Sequence, residues 1–378
     1  MSTYLEVMFN LKLAAMKYFI LLLLFCFSCS AKLFANETGK VVIAHRGASG
    51  YLPEHSMEAK AMAYAMGADY IEQDLVMTKD DQLVVLHDHY LDRVTNVAQI
   101  FPNRARHDGR FYVIDFTLDE IRTLSMTEGF TVEGERVSPV YSQRFPLWKS
   151  TFRVHTFSEE IELIQGLNKS TGSDVGIYPE IKSPAFHLYN GKDISRAVLN
   201  VLKRYEYDKP SSNVFLQSFD PDELKRIKSD LMPALKMNIK LVQLIAMTSW
   251  RETLRYKGNS VDNYSYDWMF GESAMEKIAS YADGIGPWKP MLVEAEENKV
   301  KSSGMVESAH KAGLLVHPYT FRADKGRIPA FARDFEDLIN IYLFEINVDG
   351  IFTDFPDKAV SVIRERKQIN DSKLALSE

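Results

Sequence analysis

The sequence predicts an α/β fold: a (β/α)8 barrel of the TIM type, with a hairpin on its second strand and a small insertion domain. Three observations lead there. Nine short apolar runs rich in β-branched residues recur along the chain, helical patterns lie between most of them, and one pair of runs is too closely spaced for a parallel crossover. The 378 residues, 46% hydrophobic and 25% charged, suffice for one barrel with a large core.

The runs are Val41–His45, Tyr70–Val76, Leu83–His87, Gly176–Lys182, Val214–Ser218, Leu241–Ile245, Gly284–Pro287, Leu314–Pro318 and Gly350–Asp354. After the first, "SMEAKAMAYAMG" reads as a helix. Ser56 is its expected N-cap, Gly67 its C-cap, and Ala59, Met62, Ala63 and Met66 its apolar face. Only six residues separate Val76 from Leu83. A parallel crossover needs a dozen or more, so these two runs must form a hairpin through "TKDD". Setting the return strand aside leaves eight strand–helix units, the number that closes a barrel. An open doubly wound sheet is the alternative, but no glycine-rich phosphate loop follows the first run.

Residues 93–155 break the rhythm, being rich in Arg, Asp, Phe and Gly. Their "FYVIDF" and "RFPLW" are too apolar to stay solvated, so the stretch is expected to pack over one end of the barrel. Regular structure resumes at "HTFSEEIELIQGL", where Thr156 and Glu159 make a capping box. The organisation read from the sequence is thus a barrel in two parts, 36–92 and 156–378, around an insertion at 93–155.

Residues 1–35 read as a secretory signal peptide. Lys17 precedes an apolar run from Tyr18 to Phe27, too short to span a membrane, and Ala31 and Ala35 are candidate cleavage points. Phe27 and Ser28 make a poor lipobox for Cys29, so lipid anchoring is not expected. Met16 is an alternative start, and a retained anchor helix is the alternative to cleavage. Cleavage would remove Lys12, Lys17, Lys32 and Glu6, moving the net charge from −6 to −8, and would remove both cysteines, Cys26 and Cys29. An exported protein without cysteine fits a bacterial periplasm. An acidic chain without basic runs is a poor nucleic-acid binder.

The chemistry concentrates in "IEQDLVMTKDDQLVVLHDHY". Glu72 and Asp74 share a strand face, and a hairpin symmetric about Lys79–Asp81 brings His87 roughly opposite Asp74. Three ionisable groups on one patch call for a cation; a buried Asp–His pair is the structural alternative. Glu180 and Lys182 share a face in "IYPEIK", and His45 ends the first run. His45, Glu72, Asp74, Glu180 and Lys182 all sit at C-terminal strand ends, where barrel enzymes place catalytic groups. Glu72, Asp74 and Glu180 form an all-oxygen set suited to Ca²⁺ or Mg²⁺. Arg46 offers a fork for phosphate, and Gly47 would allow close backbone approach to a ligand. Metal, two cations and two histidines describe phosphoryl chemistry, one histidine removing a proton and the other protonating the leaving alkoxide.

"HRGASGYLPEHS", "IEQDLVMTKDDQLVVLHDHYLDRVTN", "IYPEIK" and "GIFTDFP" resemble the glycerophosphodiester phosphodiesterases, specifically the periplasmic bacterial type. The resemblance runs from about Lys40 to Val362, and the order HRG, ExD, HD, ExK is specific. His55 in "PEHS" stands where many members carry Asn; the His form is usual in the periplasmic branch. The resemblance implies a barrel with a segment inserted after the hairpin, and hydrolysis of small-molecule glycerophosphodiesters to sn-glycerol 3-phosphate and an alcohol. It implies His45 and His87 as the acid–base pair, Glu72, Asp74 and Glu180 as ligands of Ca²⁺, and Arg46 and Lys182 as phosphate contacts.

Gln217 and Phe219 in "LQSFD" and Trp288 in "GIGPWKP" are further candidates for lining the pocket. Glu54 is expected to orient the loop after His45, and His89 to have a supporting or structural role. His107, His155, His187 and His310 read as structural, with His317 the strand-end exception. Oligomeric state is open, a dimer being one option. The rival readings are a lipid-directed phosphodiesterase of the sphingomyelinase D kind, with "TSWRETLRYKGNSVDNYSYDWMF" as docking loop, and a binding or surface protein without catalysis.

Overall fold

The structure is a computed structural model that describes residues 39–375 apart from 259, 297 and 298. The leader expected at 1–35, with Cys26 and Cys29, lies outside the described residues. All nine expected strands are present in one sheet: β1 Val41–Ala44, β2 Tyr70–Met77, β3 Leu83–Val85, β4 Gly176–Ile181, β5 Phe215–Ser218, β6 Lys240–Ile245, β7 Gly284–Pro287, β8 Leu315–Val316 and β9 Gly350–Thr353. Eight run parallel in the order β8-β7-β6-β5-β4-β2-β1-β9, and β3 alone pairs antiparallel, with β2. The seam between β8 and β9 is bridged by Asp349 N–H to Val316 O (3.0 Å), Phe352 N–H to Pro318 O (3.1 Å) and Phe321 N–H to Phe352 O (2.8 Å). The result is the nearly closed barrel that eight units require.

Period-2 alternation builds the barrel interior in layers. Ile43, Tyr178, Phe215, Val242 and Phe352 form an apolar plug, with Tyr178 stacked on Phe215 at 4.9 Å. Two residues further along their strands come His45, Glu180, Gln217, Leu244 and Asp354, so the same face turns from apolar to mostly polar toward the C-terminal ends. The alternate residues Ile71, Leu75, Ile177, Ile181, Leu216, Leu241, Ile285 and Ile351 face the main outer core beneath the helices.

The first helix, α1 (Met57–Ala65), is capped by Ser56, and Gly67 follows it at φ 84°. Its buried face differs from expectation: Ala59, Lys60, Ala63 and Tyr64 are inward, while Met62 and Met66 are only half-buried. A lysine can take a core position here because its ammonium is paired, 3.0 Å from Glu160 Oε1, and also donates to the Glu72 carbonyl. Glu160 belongs to α2 (Phe157–Thr171), whose expected Thr156–Glu159 capping box is formed.

The hairpin register pairs Leu75 with Val85 and Met77 with Leu83, so it is symmetric about Asp80. Asp74 therefore faces Leu86, whose amide donates to the Asp74 carbonyl at 3.0 Å, and His87 lies beyond the end of β3. The expected Asp74–His87 cross-strand pair is thus off by one residue. Residues 93–155 contain short helices at Val97–Ile100 and Leu118–Arg122 and a hairpin, Phe130–Glu133 with Arg136–Pro139. Phe111, Val113, Phe116 and Phe152 join Val76, Val84 and Leu86 of the β2–β3 hairpin in a separate apolar cluster. Among the described residues no helix is long and apolar enough to cross a membrane.

Candidate active site

The strand register decides which side chains meet. Ala44 pairs with Thr353, so the next residues, His45 and Asp354, are neighbours; His45 Nδ1 lies 2.7 Å from Asp354 Oδ1. Asp74 pairs with Glu180, and Glu180 with Gln217, placing three functional groups in one row across β2, β4 and β5. Glu72 Oε2 accepts the backbone N–H of Arg46 at 2.6 Å, tying the loop after β1 to β2.

A cleft of about 260 Å³ opens at this rim. It is lined by His45, Arg46, Glu72, Asp74, His87 and Glu180, and also by Lys182, Gln217, Phe219 and Trp288. Every site residue named from the sequence therefore reaches one cavity. Glu252, Trp250, Tyr319, Thr320 and Arg322 also line it; the first two fall in the stretch read from the sequence as a docking loop, and the other three were not named. They sit on loops after β6 and β8, where no periodic pattern marks the direction of a side chain.

Each candidate catalytic histidine carries an aspartate on Nδ1. Asp354 holds His45 at 2.7 Å, and Asp88 holds His87 at the same distance. If each Nδ1–H donates to its carboxylate, each Nε2 is left to exchange a proton. Burial, reinforced by the Arg46 and Arg322 charges, lowers His45 to about 4 against the pull of Asp354, so its ring is neutral at pH 7. Burial opposes ionisation of Asp88 and Asp354, but His87 and Arg93 hold the first, and Arg322, His45 and Arg144 the second, well below the usual carboxylate range.

Three carboxylates are buried together: Glu72, Asp74 and Glu180. Burial and then the Asp74 charge push Glu72 well above its ordinary value. Burial likewise raises Glu180 against Lys182, whose Nζ is 2.9 Å from Glu180 Oε1. Asp74 goes the other way, because Lys182, His87 and His55 outweigh its burial. Asp74 Oδ1, Arg46 Nε and Gln217 Oε1 have no hydrogen-bond partner although buried, and all three residues line the cleft. An orphaned carboxylate oxygen beside two further carboxylates fits a hard divalent cation. Among the described residues, His55, Glu72 and Asp74 offer donor atoms that all lie within 4.8 Å of one another. His55, on the loop before α1, was not named as a ligand from the sequence; its Nε2 is 2.8 Å from Asp74 Oδ2.

Two secondary expectations change, those for Gly47 and His317. Gly47 (φ 83°) serves the fold: an added Cβ would lie 2.8 Å from the Ala59 backbone carbonyl, so its close approach is to α1. Glu54 Oε2 takes Arg46 Nη1 at 2.7 Å. His317 does not reach the cleft; it is buried at the plug, bonded to the Tyr178 hydroxyl at 2.9 Å. His89 packs on Phe186 and contacts Ser183 Oγ at 3.2 Å, while His155 and His310 pair with Glu160 and Asp349.

The family model of the glycerophosphoryl diester phosphodiesterases matches residues 45–358. The chain belongs to that family. It is 54% identical over 333 residues to a glycerophosphodiester phosphodiesterase of Haemophilus influenzae, covering 87% of this chain and 91% of that one. It is 46% identical to one of Treponema pallidum, covering 86% and 92%. Among solved structures, a phosphodiesterase of Oleispira antarctica, in complex with the product sn-glycerol-3-phosphate, shares the fold at TM-score 0.56 and 21% identity, covering 86% and 96%. As a member of this family the chain is a phosphoric diester hydrolase.

Proposed function

We propose that this hydrolase is a metal-dependent glycerophosphodiester phosphodiesterase. It cleaves deacylated phospholipids to sn-glycerol 3-phosphate and an alcohol by histidine general acid–base catalysis. The observation that carries the reading is the pair of Asp-bound histidines, His45 and His87, lining one cleft with three buried carboxylates and the cations Arg46 and Lys182. The names of the Haemophilus and Treponema relatives support the substrate class.

Glu72, Asp74 and Glu180 would hold the divalent cation, Ca²⁺ by preference over Mg²⁺, with His55 within reach of the same group. Once bound, that ion supplies charge stabilisation at the phosphoryl oxygens. Arg46 and Lys182 bind and orient the phosphate, Arg46 through its planar fork. One histidine takes the proton of the nucleophile at Nε2, and the other gives a proton to the departing alkoxide. Gln217, Phe219 and Trp288 shape the wall around the substrate. The apolar leader in the sequence supports export to the periplasm, where glycerophosphodiesters would be met as free small molecules.

The test is release of glycerol 3-phosphate from glycerophosphocholine by the purified protein with Ca²⁺ present. His45→Ala and His87→Ala should each lower kcat by about a hundredfold or more. No release by the wild type would overturn the substrate assignment, and a mild loss in either variant would overturn the acid–base pair.

A further inference from the structure

Asp354 is held from two sides. One oxygen bonds His45 Nδ1 at 2.7 Å; the other lies 2.6 Å from Arg144 Nη2 and 2.9 Å from Arg322 Nε. Arg322 lines the cleft, but Arg144 does not. Arg144 is only 5% exposed and comes from residues 93–155, far from the barrel strands in sequence. It is itself fixed by four contacts: Asp324 at Nε (3.0 Å) and Nη2 (2.7 Å), the Ser49 carbonyl at Nη1 (3.0 Å), and the Tyr141 ring 3.9 Å below the guanidinium. The Arg144 fork closes on Asp324, and the Nη2 fixed in this way holds one oxygen of Asp354 in place.

We propose that Arg144 is a positioning residue for His45. By gripping Asp354 on the oxygen turned away from the imidazole, it fixes the tautomer and orientation of His45 and keeps Nε2 free to accept the proton of the nucleophile. Residues 93–155 then complete the active site as well as covering the barrel. The inference rests on the reading of His45 as the member of the acid–base pair that takes the proton, the role open to a ring that is neutral at pH 7. The charged groups acting on His45 are Arg46, Asp354 and Arg322; those acting on Asp354 are Arg322, His45 and Arg144, with Lys289 also in its field. Around Arg144 stand Asp324, Asp354 and the buried Glu128.

Removing the Arg144 charge leaves Asp354 less neutralised and so favours the imidazolium of His45. The sign follows: in Arg144→Gln the acid limb of the kcat/KM profile moves to higher pH, by about half a unit or more. At the optimum kcat falls about tenfold while KM stays within about twofold, because Arg144 does not line the cleft. Arg144→Lys retains the charge, so its limb stays at the wild-type pH and part of kcat returns. Nitrogen-15 NMR of the His45 ring reads the tautomer directly and needs no substrate. The wild type should show a single Nδ1–H form and Arg144→Gln a mixture. An unchanged profile together with an unchanged tautomer overturns the proposal, as does a loss confined to KM. Should Arg144→Gln fail to fold, Asp324→Asn loosens the same guanidinium and must move limb and tautomer in the same direction; no movement overturns the proposal. Absence of glycerophosphocholine turnover in the wild type would count against the substrate reading alone, since the tautomer measurement stands apart from it.

Discussion

Asp74 and Glu180 are paired in register on adjacent parallel strands, yet each carboxylate has its own counter-group. Asp74 Oδ2 is met by His55 Nε2 at 2.8 Å and Glu180 Oε1 by Lys182 Nζ at 2.9 Å. Like charges placed side by side on a sheet oppose folding. A pair kept in that place, with Asp74 Oδ1 accepting no hydrogen bond, fits a divalent cation.

Removing the cation should therefore remove activity. Exhaustive chelation is expected to abolish turnover and added Ca²⁺ to restore it. In calorimetric titration, Asp74→Asn should weaken Ca²⁺ binding by about a hundredfold or more. His55→Asn separates the two donor sets: binding within about threefold of wild type means that His55 only orients Asp74, and a larger loss makes it a ligand.

Stability should fall with acid in a way that His317 makes measurable. Burial lowers this imidazole to about 4, against about 6.5 in the unfolded chain. The contribution is full above pH 6.5 and is lost as the pH falls toward 4, because the unfolded chain then binds the proton first. At pH 5 the loss from this one group is about 2 kcal/mol. Unfolding free energies from urea denaturation at pH 7 and pH 5 should differ by that much less in His317→Gln than in the wild type.

Gly47→Ala is expected to destabilise by about 2 kcal/mol or more. The backbone there has φ 83°, and the new Cβ would meet the Ala59 carbonyl carbon and oxygen at 2.8 Å. The loop that carries His45 and Arg46 would shift with it, so turnover should fall even below the melting transition. An Ala variant with unchanged midpoint and turnover would contradict this account.

Behind the site, Lys60 and Glu160 form an ion pair at 3.0 Å with neither side chain exposed. Lys60→Met leaves Glu160 uncompensated apart from His155 and Gln73, and should cost about 3–5 kcal/mol in urea denaturation. Lys60→Met combined with Glu160→Gln should recover more than half of that. A double variant no more stable than the single one would mean that packing, and not the stranded charge, carries the loss.

Much of the molecule was legible along the chain, and the successes and failures have separable causes. The eight parallel strands and the hairpin follow from run length and spacing, since six residues can turn a hairpin but cannot make a crossover. All ten named site residues line one cleft, and for Glu72, Asp74, Glu180 and Lys182 the reason is that ExD and ExK fall at strand ends, where alternation alone points them inward. The turn's centre was legible, since Asp80 is the middle of Lys79–Asp81, but that centre sets residue 86 and not 87 opposite Asp74, so the Asp74–His87 pairing failed by one position. In that turn Thr78 N–H bonds the Gln82 carbonyl and Asp81 adopts φ 61°. Lys60 was left off the buried face expected for α1 because its burial depends on Glu160, a hundred residues away.

The local pattern by itself determined the fold class and which strand ends bear chemistry, because side-chain period and loop length are short-range quantities. Only the tertiary structure decided the partners. Asp354 on His45, Arg144 behind Asp354 and His55 against Asp74 depend on barrel closure, the packing of residues 93–155 and a loop before α1. Such pairs form where distant segments exclude water together, and no spacing along the chain encodes that.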